Sequence, residues 1–292
     1  MAMFISEIFS YGIFFELVHY KDIPPTDPSP FMSHMTYSTV LAFAISILIV
    51  QLFYEKHLKY KAFYIFFTLS ATINLFINGG RTGQVIYIVL IAFILFSFVK
   101  NKFKAFSATA IILLLTFSLA YNLSSNFHER ANQLQSDVSN MIFHDDYTGG
   151  GAALRVALNR IGIETIKDNF FLGTGLAYHM DNVENYSKQF HFDVTLMKEF
   201  ADFHNTFLTI SAQLGLVGIF ISIAIIFSLF TFRIKSKEFW VLSRLFAITF
   251  VMFSITHNTL HTMNPMIFFA LFGGFFNAFS KNGTETLSQT RN

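Results

Sequence analysis

The sequence contains no cysteine. A disulfide framework, a thiolate-ligated metal and a cysteine nucleophile are therefore all excluded. Charge is scarce as well. Only 13% of residues are Asp, Glu, Lys or Arg, against about 25% in a soluble domain. The formal net charge of +2 gives no basic surface on which nucleic acid would bind. Proline occurs five times and tryptophan once. What fills the chain is apolar: 53% of its 292 residues are hydrophobic, with 40 phenylalanines, and the mean hydropathy is +0.49. Such a composition is stable only where lipid replaces water around much of it, and the chain reads as a polytopic membrane protein.

A helix needs about 17–25 largely apolar residues to cross a bilayer. Seven runs meet that requirement: 33–53, 62–79, 82–99, 105–121, 206–232, 239–257 and 264–280. Lys56, Lys59 and Lys61 follow the first run, and Lys100, Lys102 and Lys104 the third. Arg233, Lys235, Lys237 and Arg244 follow the fifth, and Lys281 and Arg291 lie beyond the seventh. One threading puts all these clusters on a single side, which the positive-inside rule makes cytoplasmic. The expected fold class is all-α and polytopic, with about seven transmembrane helices and one large periplasmic loop containing an amphipathic helix. The expected organisation is a periplasmic or interfacial segment (1–32), four spans (33–121), the loop (122–205), three spans (206–280) and a cytoplasmic tail (281–292). Residues 1–20 are apolar but carry Glu7 and Glu16 with no basic flank, so they do not read as a signal peptide. An interfacial helix is expected there, with a further span as the alternative. Pro24, Pro25, Pro28 and Pro30 make 22–30 a stiff extended segment.

The 122–205 loop is too hydrophilic to be embedded. Within it, Leu154, Leu158, Ile161 and, one position off the stripe, Ile166 recur at helical spacing, predicting an amphipathic helix over 152–168. Arg160 and Glu164 are placed on it for an i,i+4 pair. Gly149-Gly150-Gly151 forms a joint before it, and Asp168-Asn169 ends it. Gly173-Thr174-Gly175 then suggests a tight turn with its backbone close to something. Residues 176–203 mix acids and aromatics, as a loop gripping a polar ligand would. A plain solvated loop has the same composition.

The groups able to do chemistry gather on the outer side. His204-Asn205 closes the loop where the fifth span begins, and nine residues later comes Gly215-Leu216-Val217-Gly218. On an unbroken helix Ser211, Gly215, Gly218 and Ser222 form a small-residue stripe that lets a neighbouring helix approach closely. His204 is then presented at the membrane–water boundary, as a reactive imidazole or as a hydrogen bond to a headgroup. Arg81 lies in Asn78-Gly79-Gly80-Arg81-Thr82-Gly83, a turn on the side where basic residues are scarce. Its glycines would let backbone amides and the guanidinium converge on an anion; a snorkelling arginine on lipid phosphate is the plain alternative. Arg155 sits in the first turns of the loop helix, where the macrodipole disfavours a cation without an anionic partner. Its planar fork suits phosphate. Arg160 has the same chemistry, but pairing with Glu164 would make it structural. His257 and His261 flank the turn after the sixth span, and His34 tops the first. HExxH spacing and nearby acids are missing, so no metal is expected. With no P-loop, dinucleotide turn or nucleophile elbow, an activated substrate or a gradient must supply the energy.

His204-Asn205, nine residues, then Gly-x-x-Gly resembles the signature of the bacterial O-antigen ligase family, which includes related O-antigen polymerases and protein O-oligosaccharyltransferases. Gly80-Arg81-Thr82-Gly83 resembles the family's arginine-containing turn before a span. Leu154-Arg155, on a helix ending in Asp168-Asn169 and followed by Leu172-Gly173-x-Gly175, resembles its loop-helix motif, with Phe170 where the family often has proline. The resemblance covers roughly 33–280. Family members have more spans, so it also implies that this chain is N-terminally short. It implies a metal-independent, inverting glycosyltransferase with no cofactor, acting in lipopolysaccharide biosynthesis. The enzyme would lie in the bacterial inner (cytoplasmic) membrane, with its active site facing the periplasm. The implied donor is a glycan on undecaprenyl diphosphate and the acceptor a sugar hydroxyl of lipid A–core; the lipid bilayer is the other partner, and nucleic acid is not one. In that reading His204 takes the acceptor's proton, and Arg155 and Arg81 stabilise the departing diphosphate. Asn205, Arg160 and His257 bind substrate. An O-antigen polymerase or a protein O-oligosaccharyltransferase is the nearest alternative. A transporter or flippase would want ionisable residues in mid-span, where this chain has almost none; an inactive fragment is the other non-enzymatic reading.

Overall fold

The structure, a computed structural model, describes residues 2–123, 125–144, 146–147, 151–190, 192–193 and 200–289. Among these residues it is helical and has no strand. The helices are α1 (Ala2–Phe14), α2 (His34–Tyr54), α3 (Leu58–Ile77), α4 (Arg81–Phe98), α5 (Lys102–Leu123), α6 (Ser125–His144), α7 (Ala152–Asp168), α8 (Val183–Gln189), α9 (Thr206–Phe230), α10 (Lys237–Thr256) and α11 (Met263–Gln289). Seven of them, α2–α5 and α9–α11, are long and apolar enough to cross a membrane. The protein is thus an all-α, multi-pass membrane protein. α3 and α5 begin earlier than the apolar runs alone suggest. Their first turns carry Lys59, Lys61, Lys102 and Lys104, and the Lys102 ammonium donates to Phe96 O at 2.5 Å. α1 has 13 residues, about 20 Å of helix, too little to cross.

The chain forms two compact units: Met1–Arg130 with Thr231–Phe250 and Ile267–Asn292, and Ala131–Phe230 with Val251–Met266. In the first unit, Tyr37, Leu41, Phe43, Ile45 and Val50 of α2 are fully buried. Phe43 meets the rings of Phe268 and Phe272 edge-on at 5.4 and 4.9 Å, the arrangement aromatic quadrupoles favour. α4 starts pressed against α2. A Cβ on Gly80 would lie 2.0 Å from Ser38 Oγ, and one on Gly83 would lie 2.3 Å from the Ser38 carbonyl carbon.

The proline-rich segment turns rather than running straight. Asp27 N–H donates to Pro24 O at 3.0 Å, and the Asp27 carboxylate accepts from Gly79 N–H (3.0 Å) and Ser29 Oγ (3.1 Å) and pairs with His34 Nδ1 (3.0 Å). Burial works against this carboxylate, but His34 and the Gly79 amide outweigh it and hold its pKa below the ordinary value. The Gly80 N–H is taken by Asn78 Oδ1 at 2.9 Å. The turn before Arg81 therefore spends its glycine amides internally, and its glycines serve helix packing rather than an amide nest. Below it, Tyr37 OH donates to Asn74 Oδ1 (2.8 Å), Asn74 Nδ2 to Ser10 Oγ (2.9 Å) and Ser10 Oγ to Pro28 O (2.6 Å). This satisfied polar chain docks α1 and the proline segment onto α3.

Candidate active site

The second unit is organised by α7, the helix expected over 152–168. Its stripe of Leu154, Ala157, Leu158 and Ile161 is buried against Val183, Tyr186, Phe192, Phe203 and Ala212. Phe203 is fully buried, a contribution of about 1.5–3 kcal/mol, and it immediately precedes His204. Gly162 makes the room: a Cβ there would lie 3.0 Å from the Phe203 ring. Asp137, buried on α6, accepts the Ala152 N–H at 3.3 Å, placing an anion where the α7 dipole favours one. The expected joint at Gly149-Gly150 lies outside the described residues; Gly151 takes φ +75° as the helix begins. Arg155, in the following turn, is half-buried, and burial pushes its pKa down. The expected Arg160–Glu164 pair gives way to another arrangement. Glu164 takes Lys167 at 2.7 Å, and the Arg160 guanidinium lies 4.2 Å from the Phe190 ring centre.

α9 is broken at Gly215, whose backbone is non-helical at φ +58°, ψ −134°. In an unbroken helix Leu216 N–H would donate to Ala212 O. Here Leu216 N–H donates to Phe171 O (3.4 Å), and Ala212 O accepts from Thr174 N–H (2.9 Å). Gln213 O is likewise taken by Gly175 N–H at 3.0 Å. A Cβ on Gly215 would sit 2.5 Å from Gly173 N, and one on Gly218 would sit 2.2 Å from Ile210 O. The Gly-x-x-Gly of α9 is therefore no continuous stripe for a neighbouring helix. Gly215 is the seat into which the Gly173-Thr174-Gly175 turn locks, and Gly218 lets α9 close on its own Ile210 carbonyl across the break.

At the mouth of α9 the chain makes one more tight turn. His204 adopts φ +50°, a left-handed conformation costing about 1–2 kcal/mol for a residue with a Cβ. Asp202 stabilises it. Its Oδ1 accepts the His204 backbone N–H at 2.6 Å and lies 3.1 Å from His204 Nδ1, an aspartate turn that also fixes the imidazole. Asn258 Nδ2 donates to Asp202 Oδ2 at 3.2 Å, and Asn258 Oδ1 lies 3.0 Å from His261 Nδ1. Burial works against the Asp202 carboxylate, yet His204 and Asn258 outweigh it and bring its pKa down to about 2. Asn205 caps α9, its Oδ1 accepting from Phe207 N–H (3.1 Å) and Leu208 N–H (3.2 Å). Thr206 Oγ1 donates to His257 O at 2.9 Å and accepts from Thr259 N–H at 2.8 Å, joining the 257–259 turn to the head of α9. The His257 ring stacks on Phe253 at 5.1 Å and lies 6.3 Å from the His204 ring, centre to centre.

Residues 64–223 match the O-antigen ligase family. The chain belongs to that family. The match takes in Arg81, Arg155, the loop turn, His204 and the α9 break, and it brings the ligase/polymerase type of function and a glycosyltransferase-like activity. No curated protein matches the chain. Within this O-antigen ligase fold, the structure brings His204, Asn205 and His257 together in one unit with Asp202, Asn258 and His261. Arg155 and Arg160 are on α7 of the same unit, and Arg81 opens α4 in the other. Asp202 and Asn258 were not among the expected site residues. The Asp-x-His spacing was the available signal for Asp202; Asn258 is distant in sequence and needed the fold.

Proposed function

We propose that this chain transfers a glycan from undecaprenyl diphosphate to a sugar hydroxyl of lipid A–core, at the periplasmic face of the bacterial inner membrane. The observation that carries this reading is the Asp202–His204 pair at the mouth of α9. With Nδ1–H directed at Asp202, His204 keeps the Nε2 lone pair for an incoming hydroxyl. As the acceptor oxygen attacks the anomeric carbon, its proton passes to Nε2. The anomeric C–O bond breaks on the opposite face, inverting the centre, and its electron pair leaves with the diphosphate. Asp202 stabilises the imidazolium that results. Arg155 takes charge developing on the diphosphate; removed from bulk water, its guanidinium acts more strongly on that charge. The same role for Arg81 rests on the family resemblance, as does substrate binding by Arg160 and His257. Asn205 serves by holding the helix end that carries His204.

The test of function is a lipopolysaccharide gel from a deletion strain complemented with wild type or His204→Ala, with lipid-linked glycan extracted in parallel. Loss of the whole ladder, accumulation of long glycan on the carrier and rescue by wild type alone is the expected result. Core bearing a single repeat would identify a polymerase instead, and an unchanged ladder would exclude both.

Asp202→Asn is expected to lower kcat on the order of 10²-fold, short of the ~10⁴ of a fully buried triad carboxylate, with KM little changed. A matching rise in KM would contradict a positioning role. The depressed pKa of Asp202 also fixes a sign. Its contribution to stability is complete above the ordinary carboxylate value of 3.8 and is lost as pH falls toward about 2. The gap in melting temperature between wild type and Asp202→Asn should therefore be present at pH 5 and close below pH ~4.

A further inference from the structure

The loop that seats in α9 carries an apolar tip. Phe170, Phe171 and Leu172 are consecutive and exposed, Phe171 at 74% and Leu172 at 89%, and Leu176 beyond the glycines is also exposed. Such a patch marks a surface that meets something other than water. Its height along α9 identifies what it meets. Phe171 O accepts from Leu216 N–H, and the Thr174 and Gly175 amides reach Ala212 and Gln213, so the loop backbone lies level with residues 212–216.

Polar side chains crowd the first turns of α9, at Thr206, Thr209, Ser211 and Gln213. From Leu214 to Ile221 every residue is apolar or glycine, and basic residues resume at Arg233. Counted back from Phe230, ~30 Å of hydrocarbon at 1.5 Å per residue uses about 20 residues and ends near Ser211. Residues 212–216 therefore lie at or just inside the edge of the hydrocarbon, and the loop tied to them lies there too. Val217 and Phe220 of α9 are exposed, as lipid-facing side chains of a span are.

Non-helical backbone survives at that depth only if its polar groups are satisfied by protein. Protein partners serve the turn behind the tip: Gly173 N–H donates to Asn169 O at 2.9 Å, the Thr174 and Gly175 amides donate into the α9 break, Phe171 O accepts from Leu216 N–H, and the Thr174 hydroxyl turns inward to Ala212 O at 3.2 Å. Tyr178, exposed a few residues on, has the apolar body and polar tip that suit headgroup level.

We propose that Phe170–Leu172 is a short re-entrant finger inserted among the acyl chains at the edge of the hydrocarbon, anchoring the Gly173–Gly175 turn in the break of α9. The 122–205 stretch, too hydrophilic overall to be embedded, thus contains one membrane-inserted piece. The inference rests on the fold and stands apart from the reaction assigned to His204.

Because the chain lacks cysteine, Leu172→Cys provides a unique site for a nitroxide label, and at 89% exposure the substitution removes almost no packing. Ile223→Cys, exposed on α9, serves as the lipid reference and Lys188→Cys, exposed on α8, as the water reference. In liposomes, the ratio of collisions with oxygen to collisions with a water-soluble nickel chelate at position 172 should exceed that at position 188 several-fold and stay below that at position 223, which lies nearer the bilayer centre. A ratio matching position 188 would overturn the proposal. Leu172→Trp in a Trp240→Phe background gives an independent reading without a label. Quenching by lipids brominated near the head of the acyl chain is expected; quenching by iodide alone would overturn the insertion.

Discussion

His204→Ala is expected to leave a folded protein whose glycan transfer is lower by about 10²–10⁴-fold, the range for losing a positioned general base. Folding should survive because the turn is anchored around the imidazole rather than by it. Phe203 fills the α7 core, Asn205 caps α9, and Thr206 is bonded to the 257–259 turn. Alanine keeps the Cβ and so carries the same order of cost, about 1–2 kcal/mol, at the left-handed φ of +50°. The measurement is turnover of lipid-linked donor by wild type and variant at matched melting temperature. Equal melting with lost turnover is the expected pattern; lost melting would mean that the ring is structural.

The second large effect falls on a glycine. Gly173→Ala places a Cβ at φ +70° and 2.4 Å from the Gln213 carbonyl oxygen, with Gly215 N at 2.5 Å. These are backbone atoms in a closed seat, so the turn must leave α9, exposing the Ala212 and Gln213 carbonyls that it satisfies. Transfer should fall close to the level of His204→Ala, with a clear drop in melting temperature. Gly175→Ala is the control. It has a comparable φ of +85°, but its nearest atom is Tyr178 Cδ2 at 3.7 Å. Only the left-handed penalty of about 1–2 kcal/mol applies there. Equal damage from the two substitutions would show that conformation, not the seat in α9, is what matters.

The spans were legible in the sequence because lipid demands long uninterrupted apolar runs, and α7 because Leu154, Leu158 and Ile161 recur at one period. α6 carries Leu134, Val138 and Ile142 at an equally helical four-residue spacing with polar residues between them, a pattern as legible as that of α7. The family motifs located His204 and the glycines but not what the glycines do. A Gly-x-x-Gly reads equally well as a helix-packing stripe, and only the docked turn distinguishes a break. Arg160 and Glu164 had ideal pair spacing, yet Lys167 and the Phe190 ring were better partners in space. Asp202 was signalled by its Asp-x-His spacing, the two-residue offset of an aspartate turn, but the left-handed φ at His204 that completes the pairing with Nδ1 needed the fold.

The decisive measurement uses purified protein in liposomes, given a lipid-linked glycan and lipid A–core, with glycan-bearing core as the product. Transfer by wild type, reduced in Asp202→Asn and nearly abolished in His204→Ala, is the predicted result. Transfer by His204→Ala at the wild-type rate would contradict it.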